Sequence, residues 1–285
     1  MSDDKAALLS LDVTGVSAGL IRPGNLWREV RAVAETGSSN ADLLAAAGAG
    51  AAEGTVLVAE AQTAGRGRLG RHWASPPRAG LTFSVLLRPG VVPATLLGWL
   101  PLLAGVAAAA SVRAVAAVDA ILKWPNDVLA GERKLGGILA ERTGTAVVVG
   151  IGINVWQARA DLPPDAPATS LALAAGAGTT GPEADADGPG LRERLLARLL
   201  DELESWYLSW RDQASPGDAD ACGLRGEYVR RCATLGREVT VTMPGTEPVT
   251  GTATGVDRAG RLEVRTTGGL VAVTAGDVVH VRPVC

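Results

Sequence analysis

The sequence predicts an α+β fold, a mixed β-sheet flanked by helices, with a small β-barrel after it. Three observations lead there. From Leu26 to Trp210, short β-branched runs alternate with helical stretches. One helix-length segment, 95–117, is almost wholly apolar. After Cys232 the texture changes to closely spaced short strands separated by turn pairs. The chain has 285 residues, 47% of them apolar, which is enough for one large core and a smaller second one.

In chain order, residues 1–20 show no clear period and are expected to be loosely ordered. Residues 26–33 mix β-branched and apolar side chains, as a strand does. Ser39 is the expected N-cap of a helix over 40–52, with Asp42 three residues on as in a capping box. Strands are expected at 55–61 and 81–87. The apolar segment 91–118 is long enough to raise a membrane question. Pro93, Gly98, Pro101, Gly105, Ser111 and Arg113 interrupt it, so it reads as a buried core helix over 95–117. A short strand over 121–124 stops at Pro125. Gly131-Glu132 joins strands 128–130 and 133–141 in a hairpin. Residues 146–155 form a strand broken by Gly150 and Gly152. Residues 157–190 are dense in Pro, Ala, Asp and Gly and read as loop, with one helical turn at 170–175. An amphipathic helix over 191–210 puts Leu195, Leu199, Leu203, Trp206 and Trp210 on one stripe. Five strands follow, at 238–243, 249–257, 261–265, 270–274 and 278–281, with turns at Pro244-Gly245, Ala259-Gly260 and Gly268-Gly269. The expected division is an extension over 1–21, a main domain over 22–232 and a small domain over 233–285.

A net charge of −3 gives no bulk attraction to nucleic acid, so anion binding requires a local cluster. The three cysteines, Cys222, Cys232 and Cys285, lack metal-site spacing and read as free thiols in a reducing compartment. No leader pattern opens the chain. These points favour a cytoplasmic protein without a membrane segment.

The local cluster is Gly65-Arg66-Gly67-Arg68-Leu69-Gly70-Arg71. Arginine forks match phosphate and carboxylate, and glycine permits close backbone approach. The spacing is not that of a Walker A loop. Composition alone leaves two readings, a loop closing over a phosphorylated ligand or a solvated basic loop of the kind that touches nucleic acid. Gln62 precedes the segment. Trp73 follows it, either to stack on a purine or to plug the loop's base. Lys123 opens Lys123-Trp124-Pro125-Asn126-Asp127 in an apolar setting, where an anionic partner would relieve its charge. Gly136-Gly137 in Lys134-Leu135-Gly136-Gly137-Ile138, and Gly150-Ile151-Gly152-Ile153-Asn154, suit a ligand lying close to the backbone, or a bulge.

Taken together, Gln62 to Trp73, Lys123 to Asp127, Lys134 to Ile138 and Gly150 to Asn154 resemble the motifs of biotin–protein ligases, in the family's order. Ser38-Ser39-Asn40 resembles the family's Ser-Thr-Asn element, with Ser39 in place of Thr. The matched motifs cover roughly residues 22–155. The resemblance implies a class II synthetase-like catalytic core and an SH3-like C-terminal domain. It implies ATP-dependent formation of biotinyl-5′-AMP, then transfer of biotin to a lysine of the biotin carboxyl carrier domain of acyl-CoA carboxylases. Ser38, Ser39, Asn40, Gln62, Gly67, Gly136 and Gly137 would bind biotin. Arg66 and Arg68 would hold the carboxylate and phosphates, and Lys123 would stabilise the pentacovalent α-phosphate. Arg71, Trp73, Asn126 and Asn154 would lie on the ATP side. Mg²⁺ would arrive with the triphosphate and needs no dedicated protein ligands. The short segment before the first motif suggests the form without a helix-turn-helix domain, hence no DNA binding. A monomer or a weak ligand-dependent dimer is expected. The alternative within the same superfamily is a lipoate or octanoate ligase or transferase. That branch generally lacks this arginine-glycine loop followed by Trp.

Overall fold

The computed structural model describes residues 10–164, 166–175, 190–243, 245–274 and 276–280. Met1–Lys5, Cys285, Pro244 of one expected turn, Val281 of the last expected strand and the 176–189 part of the expected loop lie outside the described residues.

Seven strands form the main sheet: β1 (Glu29–Val33), β2 (Thr55–Ala59), β3 (Gly80–Leu87), β4 (Ala120–Lys123), β5 (Asp127–Ala130), β6 (Arg133–Thr143) and β7 (Ala146–Asn154). Their spatial order is β1-β2-β3-β7-β6-β5-β4. Only β1 and β2 run parallel, so the sheet is mixed, as expected. The long β3–β7 and β6–β7 ladders make its centre.

Helices α1 (Val13–Leu20), α3 (Trp99–Ala116) and α5 (Leu191–Arg211) pack together with one face of the sheet, and α2 (Ser39–Gly48) lies against β2, β3, β6 and β7. By length and a mean hydropathy of 1.6, α3 could cross a membrane, but 67% of it is buried inside the fold. It is a core helix, and its alanines let α5 approach closely. The stripe of α5 is fully buried at Leu195, Leu199 and Trp210.

Several expectations are corrected. Residues 1–20 contain α1, capped by Asp12, whose side chain accepts from the Thr14 N–H. Eight residues show too little periodicity to announce a helix, and burial of Val16 and Leu20 stabilises this one. The first strand starts at Glu29 rather than Leu26, because the Leu26 N–H donates to Glu204 and the Trp27 indole N–H to Leu200 O. Ser38, not Ser39, caps α2. The Ser39 hydroxyl is turned instead toward Gln62 and Ser84. The segment expected at 95–117 begins with a separate 3-10 turn, Ala94–Leu96, before α3. Helix α4 (Leu171–Ala174) is the expected helical turn. Helix α6 (Leu224–Arg231) was not expected. It is short and charged, with only Leu224 and Tyr228 buried.

The second sheet contains β8 (Glu238–Thr242), β9 (Val249–Val256), β10 (Leu262–Thr266), β11 (Gly269–Val273) and β12 (Asp277–His280), in the order β11-β10-β9-β8-β12. It is an open antiparallel sheet, not the expected closed barrel. Closure requires hydrogen bonds between the two outermost strands. Here β11 pairs only with β10 and β12 only with β8.

The two sheets share one continuous core. Trp99 and Trp124 in the first domain donate indole N–H groups to Arg258 O at 2.8 Å and Gly260 O at 3.1 Å in the second. The Trp124 N–H donates to Thr234 Oγ1 at 3.0 Å, and the Ala233 N–H to Leu122 O at 2.7 Å. At the opposite end, Arg192 of α5 forms a buried ion pair with Glu60 at 2.5 Å. Glu60 also accepts from the Leu11 N–H. Both charged side chains are less than one-tenth exposed, and Arg192 also donates to Gly80 O at 3.3 Å.

Glu60→Ala is therefore expected to lower the unfolding free energy by about 3–5 kcal/mol, since it leaves a guanidinium buried beside its lost partner. Urea unfolding measures this, and a loss below about 1 kcal/mol, the scale of an exposed pair, would contradict the assignment.

Candidate active site

The arginine-glycine segment folds into a tight hairpin. The Gly67 N–H donates to Arg71 O at 2.7 Å and the Trp73 N–H to Gly65 O at 2.9 Å. The tip turns through Leu69 and Gly70, both left-handed, at φ +55° and +73°. Leucine in this region is strained by about 1–2 kcal/mol. The hairpin arches over the end of the main sheet and reaches the second sheet. Between them lies a cleft of about 900 Å³, part of it open to solvent.

One wall of the cleft is a polar network whose cleft-lining members, Ser39, Asn40 and Gln62, are uncharged and are backed by Glu141. Gln62 Oε1 accepts from the Ser39 N–H at 2.8 Å. Ser39 and Ser84 hydroxyls lie 2.7 Å apart, Ser84 donates to Asn40 Oδ1 at 2.6 Å, and Asn40 Nδ2 donates to Glu141 at 2.8 Å. Glu141 lies 3.9 Å from Arg66. This chain connects the start of α2 to the hairpin through β3 and β6.

The floor is made by glycines. A Cβ at Gly150 would sit 2.3 Å from Asn40 Oδ1, and one at Gly152 would sit 2.4 Å from Trp73 Cζ2. The indole of Trp73 therefore lies across β7 at Gly152. Its Nε1 is buried and, among the described residues, has no hydrogen-bond partner.

Cations line the other end. The Arg68 guanidinium donates to Asn126 Oδ1 at 3.2 Å and to Gly276 O at 3.3 Å. Burial holds its pKa below the usual value, opposed by Asp127 and Asp277. Arg71 is ion-paired with Asp277 of β12. Lys134 donates to Asp127 at 2.6 Å. Lys123 also lines the cleft and, among the described residues, has no ion-pair partner. Around an incoming anion, then, the cleft offers guanidinium and ammonium donors, three of them already parked on carboxylates.

Of the residues singled out in the sequence, Ser38, Ser39, Asn40, Gln62, Arg66, Gly67, Arg68, Arg71, Trp73, Lys123, Asn126 and Gly137 all border this cleft. Gly136 and Asn154 stand behind it. A Cβ at Gly136 would meet Gly152 O at 2.5 Å, so this glycine serves strand packing. Asn154 donates to Thr169 O at 2.9 Å and accepts from Gln157 at 3.2 Å. It ties down the 157–170 segment, which pairs with the edge of β6 at Lys134 and Ala168. Sequence reasoning missed Ser84, Asp127, Glu141, Lys134 as a site residue, and Asp277. Lys134 was legible as the first residue of its glycine motif, and Asp127 as the last residue of the motif that Lys123 opens. The others are ordinary strand residues until the sheet brings them together. Among the described residues, no group of three or more His, Cys, Asp or Glu is placed to hold a metal.

At the domain junction, the Nε2 of His280 lies 3.4 Å from Thr234 Oγ1. That hydroxyl already accepts from the Trp124 N–H, so its own proton is available for an unprotonated imidazole. Burial and the charges of Lys123 and Arg237 push the His280 pKa from 6.5 down to about 4.

Residues 45–156 match the biotin/lipoate A/B protein ligase family, and residues 234–281 match the biotin protein ligase C-terminal domain. The chain is 44% identical to the biotin–[acetyl-CoA-carboxylase] ligase of Mycobacterium tuberculosis, over 99% of this chain and 100% of that protein. It is 33% identical to the enzyme of the same name from Paracoccus denitrificans, over 86% of this chain and 98% of that one. The solved biotin protein ligase of Aquifex aeolicus in complex with biotin and ATP superposes with a TM-score of 0.73 at 29% identity, covering 90% of this chain and all of that one.

The His280 geometry fixes a pH dependence. Because the folded pKa lies below the unfolded one, the unfolded chain takes up the proton first as pH falls. The stabilisation is complete above 6.5 and is lost between 6.5 and about 4. The difference in unfolding free energy between the wild type and His280→Gln should therefore grow as pH rises from about 4 to 6.5. A difference that stays constant over this window would contradict the depressed pKa.

Proposed function

The chain belongs to the biotin protein ligase family, and from that premise we propose how this cleft joins the carboxylate of biotin to the α-phosphate of ATP and passes the biotinyl group to a lysine amine. The activity is that of an ATP-dependent biotin protein ligase. Its acceptor is the biotin carboxyl carrier domain of a biotin-dependent carboxylase. The observation that carries this reading is the division of one cleft into two ends. A polar wall and a glycine floor suit a compact bicycle with a ureido group. Guanidinium and ammonium groups at the other end suit a carboxylate meeting phosphates.

Ser38, Ser39, Asn40 and Gln62 bind the ureido end, with Gly67 and Gly137 letting the ligand approach the backbone. Trp73, whose indole packs on β7 at Gly152, borders the bicycle from the side rather than lying on the adenine. Arg66 and Arg68 hold the carboxylate and the phosphates. Arg71 leaves Asp277 for the leaving pyrophosphate, and Asn126 faces the nucleotide. Lys123 and Lys134 supply the positive charge as negative charge builds at the α-phosphorus. Lys134 lies over the floor, within about 3.4 Å of where a Cβ of Gly137 would be, so we assign it the α-phosphate and carboxylate. Lys123, which the sequence alone favoured for that role, is given the phosphates farther along. No side-chain nucleophile is needed, because positioning and charge stabilisation suffice. Closing the hairpin keeps water from the mixed anhydride.

Asp127 and Asp277 are hard oxygen donors of the kind Mg²⁺ takes, but each is already paired with a cation. That donor set fits an ion brought in by the triphosphate, whose charge it would neutralise. A lipoate or octanoate chain would leave the polar wall without partners, a costly mismatch for buried groups. We further propose the division at residues 232 and 233, a cytoplasmic location, no nucleic-acid partner, and a monomer or weak ligand-dependent dimer. The net charge of −3 and the free thiols Cys222 and Cys232 support this reading.

Biotin-dependent exchange of pyrophosphate into ATP tests the assignment of the lysines. Lys134→Ala is expected to lower kcat by about 100-fold or more, the scale of one lost transition-state donor. Lys123→Ala is expected to raise the KM for ATP more than it lowers kcat. Wild-type kcat in Lys134→Ala would remove Lys134 from the chemistry.

A further inference from the structure

The reaction above makes a mixed anhydride that acylates any free amine, and the enzyme holds it against its own lysine. Two features of the chain bear on this. Of its 27 basic residues, 24 are arginine and three are lysine, namely Lys5, Lys123 and Lys134. Arginine keeps the positive charge without offering a nucleophilic amine at neutral pH. Lys134 is the lysine over the floor of the cleft, and its Nζ donates to Asp127 Oδ1 at 2.6 Å. Both side chains are partly sheltered, at 35% and 20% exposure, so the pair is stronger than an exposed one. The register of β5 fixes the carboxylate there: Asp127 pairs with Lys123 across one hairpin and with Gly137 across the next.

We infer that Asp127 is a positioning residue that holds the Lys134 ammonium away from the acyl carbon and so keeps the enzyme from biotinylating itself. The inference rests on the assignment of Lys134 to the carboxylate end of the cleft. Held on the Asp127 carboxylate at 2.6 Å, the Lys134 side chain is fixed in one position, from which it still presents positive charge to the phosphate. In the reaction that Asp127 blocks, the Lys134 amine would attack the acyl carbon of biotinyl-AMP. An amide bond would form, the bond from the acyl carbon to the phosphate oxygen would break, AMP would leave, and the amine's proton would pass to water. The product would be a neutral, dead site. The scarcity of lysine elsewhere in the chain extends the same protection to adenylate that escapes.

The test uses the full-length protein and synthetic biotinyl-5′-AMP, without ATP, so labelling does not depend on the enzyme's ability to make the adenylate. Peptide mass spectrometry reads biotin at Lys134, Lys123 and Lys5 separately. Asp127→Asn is expected to raise labelling of Lys134 by about tenfold or more, the weight of one charge-assisted hydrogen bond. Asp127→Glu, which keeps the carboxylate, should stay near the wild type, and Asp127→Asn with Lys134→Arg should lose the label. Binding of biotinyl-AMP, followed by calorimetry, identifies variants that retain the cleft. An Asp127→Asn variant that binds the adenylate but leaves Lys134 unlabelled overturns the inference, as does equal labelling of Lys134 in the wild type. If biotinyl-AMP does not bind even the wild type, the proposed function itself fails.

Discussion

Gly150 and Gly152 leave the middle of β7 without side chains, and the site depends on that gap. Any residue but glycine would project a Cβ into Asn40 at position 150 or into Trp73 at position 152. Because the gap exists, Asn40 can reach across from α2 to Glu141 on β6, and the indole of Trp73 can lie against the sheet. The polar wall, the apolar border and the space between them all follow from two missing methyl groups. A sheet with side chains at these positions would pack well and bind nothing.

The second sheet gives the cleft its other side. Trp99 and Trp124 anchor it through backbone carbonyls, which accept these bonds whatever side chains neighbouring residues carry. Because the sheet is open rather than closed, its edge strand β12 is free to bring Asp277 to Arg71. The hairpin thus has contacts on both domains, and its exposed ion pair is weak enough for a nucleotide to displace. Arg71, which waits on Asp277, stays ordered without a ligand and exchanges that carboxylate for phosphate when one arrives.

Much of this was legible in the sequence. The apolar run of α3, the period of α5, the β-branched runs of β2, β3 and β7, and the turn at Gly131-Glu132 pointed to the main sheet and its helices, because each is long or sharply punctuated. The order of four motifs gave the family. The shorter elements, α1 and α6, were not legible, since eight residues carry too little pattern and their stability comes from packing on α5 and α3. Barrel closure was overread, because strand spacing says nothing about whether the outer strands meet. In the site, most residues within motifs were found, Lys134 and Asp127 were passed over although their motifs were read, and the partners outside motifs were not found. Ser84, Glu141 and Asp277 carry no local signal, because their roles come from strand register and from the contact between two domains. Gly136 and Asn154 lie inside motifs yet stand behind the cleft, where they serve packing and loop anchoring.

The central claim is that the polar wall selects biotin for activation and transfer to a lysine. The most direct measurement incubates the protein with ATP, Mg²⁺ and a biotin carboxyl carrier domain, with biotin or lipoate in parallel, and reads the intact mass of the acceptor. The account requires the mass of one biotinyl group at the acceptor lysine and no lipoyl adduct. An unmodified acceptor with biotin, or lipoylation at a comparable rate, would contradict it.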